Sequence, residues 1–246
     1  MVVGAHHAPV ATFFSPGDWG SHVELDERAA HHATVKRLAV GDAVRLTSGD
    51  GRRVSGHIDA LGKRSIVISC IAESLHQLPA LAYLELWAPV GDRERMLLLA
   101  EKATELGVSA WRSIVYRRSR SVSPRGEGEA FQEKLRARMI SALEQSGGAW
   151  LPEILPEATI DHVARCTFTG GNVLLDPLGQ PLVEVMDGIH APVVLALGPE
   201  GGLEPDERDI FLAAEWHTAA IGGNVLRFET AGIAGVTLVR SLLKRS

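Results

Sequence analysis

The sequence predicts two dissimilar modules: a small N-terminal β-barrel over residues 11–75, and an α/β module with a mostly parallel sheet over residues 80–246. Three observations predict it. Up to residue 75, short segments of alternating polarity are joined by tight glycine turns, as in hairpins. Beyond residue 80, short apolar runs alternate with longer stretches of helical period, which builds a parallel sheet covered on both faces. Finally, three of the later apolar runs end in glycine-bearing loops, the place where open α/β sheets take ligands.

Residues 1–10 read as a loose leader. Thr12–Phe14 is a first strand closed by Ser15-Pro16-Gly17-Asp18, and His22–Leu25 a second. Asp26 is a good N-cap for a helix from Glu27 to Leu38, with Ala29, Ala30, Ala33 and Leu38 on one face. Three alternating strands follow, at Ala43–Thr47, Val54–Ala60 and Ser65–Ser69, turned by Gly49-Asp50-Gly51 and Leu61-Gly62-Lys63. The polar segment Ser74–Ala80 marks the boundary.

In the second module Leu81–Trp87 is a strand, and Glu94–Leu106 a helix capped by Gly107. Ala110–Val115 is a strand, residues 128–145 a long helix and Leu155–Ala164 a further helix. Val173–Leu175, Val193–Leu197 and Thr218–Ile221 are short buried strands with helices between and after them.

Composition narrows the function. With 46% hydrophobic and 22% charged residues and a net charge of −5, the chain has ample core, and any nucleic-acid contact must come from a local basic patch. Cys70 and Cys166 lie far apart in apolar stretches and read as reduced, buried thiols. The histidines include the adjacent pairs His6-His7 and His31-His32, and no HExxH or CxxC spacing closes a metal site. No signal-peptide layout and no membrane-length apolar run is present, so a cytoplasmic, metal-free protein is expected.

The three loops are Asp176-Pro177-Leu178-Gly179, Gly198-Pro199-Glu200-Gly201-Gly202 and Gly222-Gly223-Asn224-Val225-Leu226-Arg227. On parallel neighbouring strands they converge at one sheet edge, where backbone groups bracket a flat heterocycle and a polar tail. Neither dinucleotide nor P-loop glycine spacing is present. A second feature is the stretch from Ala110 to Arg125, with five arginines and no acid. Arg117, Arg118 and Arg120 suit RNA phosphates, Ser119 and Ser121 add donors, and Tyr116 offers a stacking ring. The plain alternative is a solvated loop whose arginines pair with acids elsewhere. Glu144-Gln145-Ser146-Gly147-Gly148 is a polar helix end, facing the same three loops or simply an exposed cap.

Taken together, these segments resemble the bacterial family that methylates N3 of a uridine in 16S ribosomal RNA, within the SPOUT class of methyltransferases. The resemblance runs through His31-His32, Lys36-Arg37-Leu38, Lys102–Val108, Arg118-Ser119, Glu144–Gly147, Leu151–Ile154, Gly198–Gly202, Leu226-Arg227 and Glu229-Thr230-Ala231. It implies a PUA-like barrel for RNA, an α/β domain tied in a trefoil knot, a homodimer, and S-adenosyl-L-methionine as cofactor. The implied cofactor residues are Leu175, Asp176, Leu197, Gly198, Pro199, Glu200, Gly201 and Gly202, with Ile221, Gly222, Asn224, Val225 and Leu226. Implied RNA contacts are His32, Lys36, Arg37 and Arg93, beside Arg117, Arg118, Ser119 and Arg120, and the partner is 16S rRNA or the small ribosomal subunit.

The chain departs from the family pattern at Phe228, where Thr is usual, at Glu204 in place of a small capping residue, and at Gly223-Asn224, where a basic residue is common. The family often has Lys after the first sheet strand, and Gly91-Asp92-Arg93 offers arginine there. Arg227 is the expected electrostatic partner of the uracil oxygens. Glu229 or Glu200 accepts the N3 proton or serves as a structural carboxylate at a helix start. Two other readings fit the same residues: a SPOUT enzyme acting elsewhere in RNA or on a ribose 2′-hydroxyl, and a catalytically silent RNA-binding homologue.

Overall fold

A computed structural model describes residues 11–121, 126–165 and 170–243, with the side chains of Arg120 and Ser121 excepted. The expected leader, Arg125 and Cys166 lie outside the described residues, as does the side chain of Arg120. The chain divides into two compact units: residues up to Ala80 with Ile140–Leu151, and Leu81–Met139 with Pro152 onward.

The first unit contains β1 (Ala11–Phe14), β2 (His22–Leu25), α1 (Glu27–Val35), β3 (Ala43–Thr47), β4 (Arg52–Leu61), β5 (Ile66–Cys70) and β6 (His76–Gln77). They form one sheet in the order β1-β3-β4-β5-β2, with β6 on β4. It is mixed, because β1 pairs with β3 in parallel while the other pairs are antiparallel. Alternate side chains explain its core: Phe13, Val44, Leu46, Ile66 and Ile68 point inward and meet Ala29 and Ala33 of α1. Asp26 caps α1 by accepting the Ala29 N–H at 3.1 Å. The helix stops before Leu38, since Arg37 takes a left-handed φ of 56° and turns Leu38 into the same core.

One helix end completes this unit. Glu144 is buried, accepting the Phe14 N–H at 2.8 Å and both Arg28 guanidinium nitrogens at 3.0 Å, with His32 Nδ1 at 3.4 Å. The exposed-cap reading of this helix end holds for Gln145 and Ser146, whereas the Glu144 carboxylate is turned inward and satisfies the backbone of β1. Burial pushes the Glu144 carboxyl up, but bonds from His32, Arg28 and the Phe14 amide outweigh that and hold it below its ordinary 4.5. A carboxyl lowered by folding contributes stability above its unfolded value and loses it as pH falls through the lowered one. Glu144→Gln is therefore expected to cost about 1–2 kcal/mol at neutral pH, after discounting for the half-exposed Arg28. Urea midpoints of the two chains should converge as the solution is acidified below about pH 4.5. A gap independent of pH would refute the charge-based account.

The second unit holds β7 (Leu84–Pro89), α2 (Arg93–Glu105), β8 (Ala110–Val115), α3 (Glu129–Ser146, whose last turns belong to the first unit), β9 (Glu153–Thr159) and α4 (Ile160–Arg165). Then follow β10 (Gly171–Pro181), α5 (Leu182–Val185), β11 (Val193–Leu197), α6 (Pro205–Ala213), β12 (His217–Ala220) and α7 (Phe228–Leu242). The sheet order is β12-β10-β11-β7-β8-β9, and each of these pairings is parallel. Both faces are covered, as the apolar strands require. Trp87, Leu174, Val194 and Ala196 pack with Val163, Phe211 and Trp216 on the α4 and α6 side, while α7 packs on β7 and β11 and against α2.

One expected helix is absent. Leu155–Ala164 divides into the edge strand β9 and the short α4. Pro156 explains it: without an amide hydrogen it breaks a helix but is tolerated in a strand at a sheet edge, and its carbonyl accepts Arg112 Nη1 at 3.0 Å. The Asp176–Gly179 loop also differs from expectation. Leu175 and Gln180 both register with Ala219, so the four residues between them bulge out of a strand that resumes pairing.

Candidate active site

β12, β10 and β11 are parallel neighbours, so their following loops emerge at the same end. Together the loops enclose a cavity of about 250 Å³. β10 and its bulge supply Leu175, Asp176, Pro177 and Leu178; the β11 turn supplies Leu197, Gly198, Pro199, Glu200, Gly202 and Leu203. The β12 side contributes Ala219, Ala220, Ile221, Asn224, Val225 and Leu226, and helices close it with Arg208, Phe228 and Ala231.

Gly179 sets the bulge against β12. A Cβ there would lie 2.5 Å from the Ala219 nitrogen and 2.6 Å from its Cα, both backbone atoms that cannot swing aside. Gly202 turns the second loop with a φ of 73°, its N–H donating to the Pro199 carbonyl at 2.8 Å. Of the expected ligand residues, Gly201 and Gly222 do not line the cavity. Gly201 lies against the stem of Arg118, and Gly222 supplies a positive φ of 68°.

The start of α6 is fixed by one carboxylate. Glu207, buried, accepts the Arg117 N–H at 2.8 Å and the Glu204 N–H at 3.0 Å. This explains how Glu204 stands where a small capping residue is expected: Glu207 reaches back to satisfy the N-cap amide. The arginines of the basic stretch are drawn to the same place. Arg118 pairs with Glu204 at 2.9 Å and donates to the Gly201 carbonyl, and Arg117 pairs with Asp206. Tyr116 and Ser119, expected to face RNA, are both buried. The Tyr116 ring packs near Phe211 with centroids 6.5 Å apart, and the Ser119 hydroxyl accepts the Tyr116 N–H at 3.3 Å. Burying the large ring in the α6 side of the core outweighs leaving it available to stack on a base.

Charges around the cavity are compensated. Asp176, buried, accepts the Leu178 N–H at 2.9 Å and Arg208 Nη2 at 2.6 Å. Glu200 is paired with Arg95, whose Nε stands 3.9 Å from Glu229 Oε1. Glu229 is buried in the first turn of α7, and its Oε2 has no hydrogen-bond partner among the described residues. Phe228, beside it, is buried, and its Cε1 would stand 3.2 Å from a Cβ built on Gly91. The position that departs from the family pattern is thus an apolar wall of the cavity.

Arg227 differs from these. It is the N-cap of α7, exposed, between the cavity-lining Leu226 and Phe228, and its guanidinium has no hydrogen bond or ion pair among the described residues. The other expected RNA contacts vary. Lys36 and Arg37 are exposed after α1. His32 is half-buried between Glu144 and the Phe13 ring, 5.4 Å away. Arg93 lies over the Phe131 ring at 5.8 Å. Among the described residues no cluster of three His, Cys, Asp or Glu side chains is arranged to hold a metal ion, and no helix is long and apolar enough to cross a membrane.

Sequence reasoning missed as cavity residues Leu203, at the end of the β11 turn, and Arg208, Ala219, Ala220, Phe228 and Ala231, which reach the site only through the packing of α6, β12 and α7 on β10 and β11.

Comparison with known proteins agrees with this architecture. Residues 80–240 match the family described as RNA methyltransferase domain, and residues 25–69 match the RNA methyltransferase PUA domain. A Rickettsia conorii protein named ribosomal RNA small subunit methyltransferase E is 27% identical over 234 residues, 90% of this chain and 91% of its own. The protein of that name from Bacillus subtilis is 23% identical over 228 residues, 87% of each. Among solved structures, a probable rRNA-methyltransferase from Porphyromonas gingivalis is 26% identical with a TM-score of 0.76, covering 94% of this chain and 98% of that one. The ribosomal RNA small subunit methyltransferase E of Neisseria gonorrhoeae, solved bound to S-adenosyl methionine, has a TM-score of 0.82 at 22% identity, covering 96% and 98%, a likeness of fold.

Proposed function

This chain belongs to the RNA methyltransferase family, and from that premise we propose that it methylates N3 of a uridine in the 16S RNA of the small ribosomal subunit, with S-adenosyl-L-methionine as methyl donor. The observation that carries the reading is the three-loop cavity with an arginine, Arg227, unpaired among the described residues, between two of its lining residues. The cavity suits the cofactor: Leu175, Leu197, Leu226 and Phe228 offer apolar surface to a heterocycle, and each acid in the wall already has an arginine partner. When bound, S-adenosylmethionine supplies an electrophilic methyl group on a sulfonium.

The protein's own task is to hold the uracil as its N3 loses a proton. Arg227 stabilises the negative charge that then spreads over the uracil oxygens, acting as a donor fixed before the reaction. Glu229, buried beside the cavity-lining Phe228 with an oxygen unpartnered among the described residues, is the carboxylate assigned in this reading to receive the proton. The homodimer and the trefoil knot implied by the family resemblance, and a cytoplasmic site of action, belong to the same proposal.

The test is methylation of small-subunit RNA by purified, chelator-treated protein with labelled S-adenosylmethionine, followed by mass spectrometry of the nucleosides. The expected product is 3-methyluridine; a ribose-methylated nucleoside, or cofactor binding without transfer, would overturn the reading.

RNA binding is expected to rely on Lys36 and Arg37, exposed in the first unit, more than on Arg117 and Arg118, which acids already hold. Replacing Lys36 and Arg37 together by Ala should weaken RNA affinity about tenfold at low salt and flatten the log–log salt dependence by about 1–2. Fluorescence polarisation across a salt series reads both, and an unchanged slope would count against phosphate contact there.

A further inference from the structure

We propose that Arg208 reads the carboxylate at the amino-acid end of the ligand held in the three-loop cavity, and so sets which adenosine-containing ligands the site accepts. The inference rests on the S-adenosylmethionine reading above and goes beyond it in naming the group that grips one end of the molecule.

Among the residues lining the cavity, the ionisable side chains are Asp176, Glu200 and Arg208. Glu200 is paired with Arg95. Asp176 is buried, with Oδ1 taking the Leu178 N–H at 2.9 Å and Oδ2 taking Arg208 Nε at 3.0 Å and Nη2 at 2.6 Å. Both acids are thus compensated, and an anionic group entering the cavity meets no uncancelled negative charge in the wall.

Arg208 is not used up by this arrangement. Guanidinium donors lie in a fixed plane, so clamping one carboxylate oxygen through Nε and Nη2 fixes the direction of the whole fork. Its third nitrogen, Nη1, has no partner among the described residues, and the side chain remains one-third exposed. The wall therefore offers a cationic donor already oriented by an internal ion pair. A ligand carboxylate meets it without a further cost of ordering a long side chain. The rest of the wall, with Leu175, Leu197, Leu203 and Phe228, is apolar and suited to the nucleoside end.

The same ion pair has a structural duty, since it joins α6 to the Asp176–Gly179 bulge, and the experiment must separate the two roles. Calorimetry would compare S-adenosylhomocysteine, which carries the amino-acid carboxylate, with 5′-methylthioadenosine, which has the same thioether-linked adenosine but lacks it. For Arg208→Met the expected result is at least a tenfold loss for S-adenosylhomocysteine, the scale of one charge-assisted hydrogen bond, with methylthioadenosine unchanged within twofold. Arg208→Gln keeps an amide donor for Asp176 and guards against a variant that does not fold; the same selective loss is expected. Equal loss for both ligands would overturn the proposal and leave Arg208 as a brace for the bulge. No loss for either would overturn it as well. If the unaltered chain binds neither ligand, the cofactor reading itself fails, an outcome distinct from the other two.

Discussion

Arg227→Ala should lower the rate of methyl transfer by about 10²–10³-fold, the cost of removing one preorganised donor from a developing anion. The physical basis is specific to this position. Most arginines near the cavity are committed: Arg95 to Glu200, Arg118 to Glu204 and Arg208 to Asp176. Arg227 is exposed and free of such partners among the described residues, so removing it leaves no buried acid unpaired and should not disturb the fold. Cofactor affinity is accordingly expected to stay within about twofold, because the guanidinium acts on the base rather than on the cofactor. Single-turnover transfer to RNA, measured beside cofactor calorimetry, checks both halves. Turnover near the unaltered rate would remove Arg227 from the mechanism; an equal fall in cofactor affinity would make it a wall residue instead.

The second large effect is expected at Gly179. Alanine there places a methyl group 2.5 Å from a backbone nitrogen of β12, and the only relief is to move the bulge or the strand. Overpacking against atoms that cannot rotate away costs roughly 3 kcal/mol or more. Because the displaced residues include Asp176 and Leu178 of the cavity wall, cofactor affinity should fall more than tenfold. Gly223→Ala is the matched control. A Cβ at Gly223 meets nothing within 4 Å, so that variant should keep its stability within about 0.5 kcal/mol. Thermal melts and calorimetry on the two alanine variants decide the matter: similar behaviour of both would refute the close-approach account of Gly179.

The strands of the first unit were legible because one face of each is buried, so polarity alternates along them; Val44 and Leu46 of β3 are an instance. The parallel sheet was legible for the opposite reason, as in β7, where every residue from Leu84 to Pro89 is buried and the apolar run is continuous. What the sequence hid was pairing over distance. The basic stretch reads as a patch for phosphate, yet Glu204, Asp206 and Glu207, close to 90 positions later, take up its side chains and one of its amides. Arg208 carries no local signal, since its role exists only once α6 lies beside β10. Gly179 could be read as a turn residue but not as the contact point with Ala219, because the return of β10 to the same partner is a matter of register. At β9 the apolar spacing suggested a helix, and Pro156 was the contrary sign.

The first unit is not one continuous stretch of chain: Ile140–Leu151 belongs to it, and Glu144 within that segment satisfies the amide of Phe14 and the charge of Arg28. During synthesis, then, the N-terminal sheet emerges from the ribosome with a buried position still empty. Some 60 further residues, most of them strands and helices of the other unit, must be translated before it can be filled. At about 5–20 residues per second, that delay is on the order of several seconds. The N-terminal unit therefore cannot close until part of its neighbour has been made, and its final closure waits on the end of a helix that begins in the second unit.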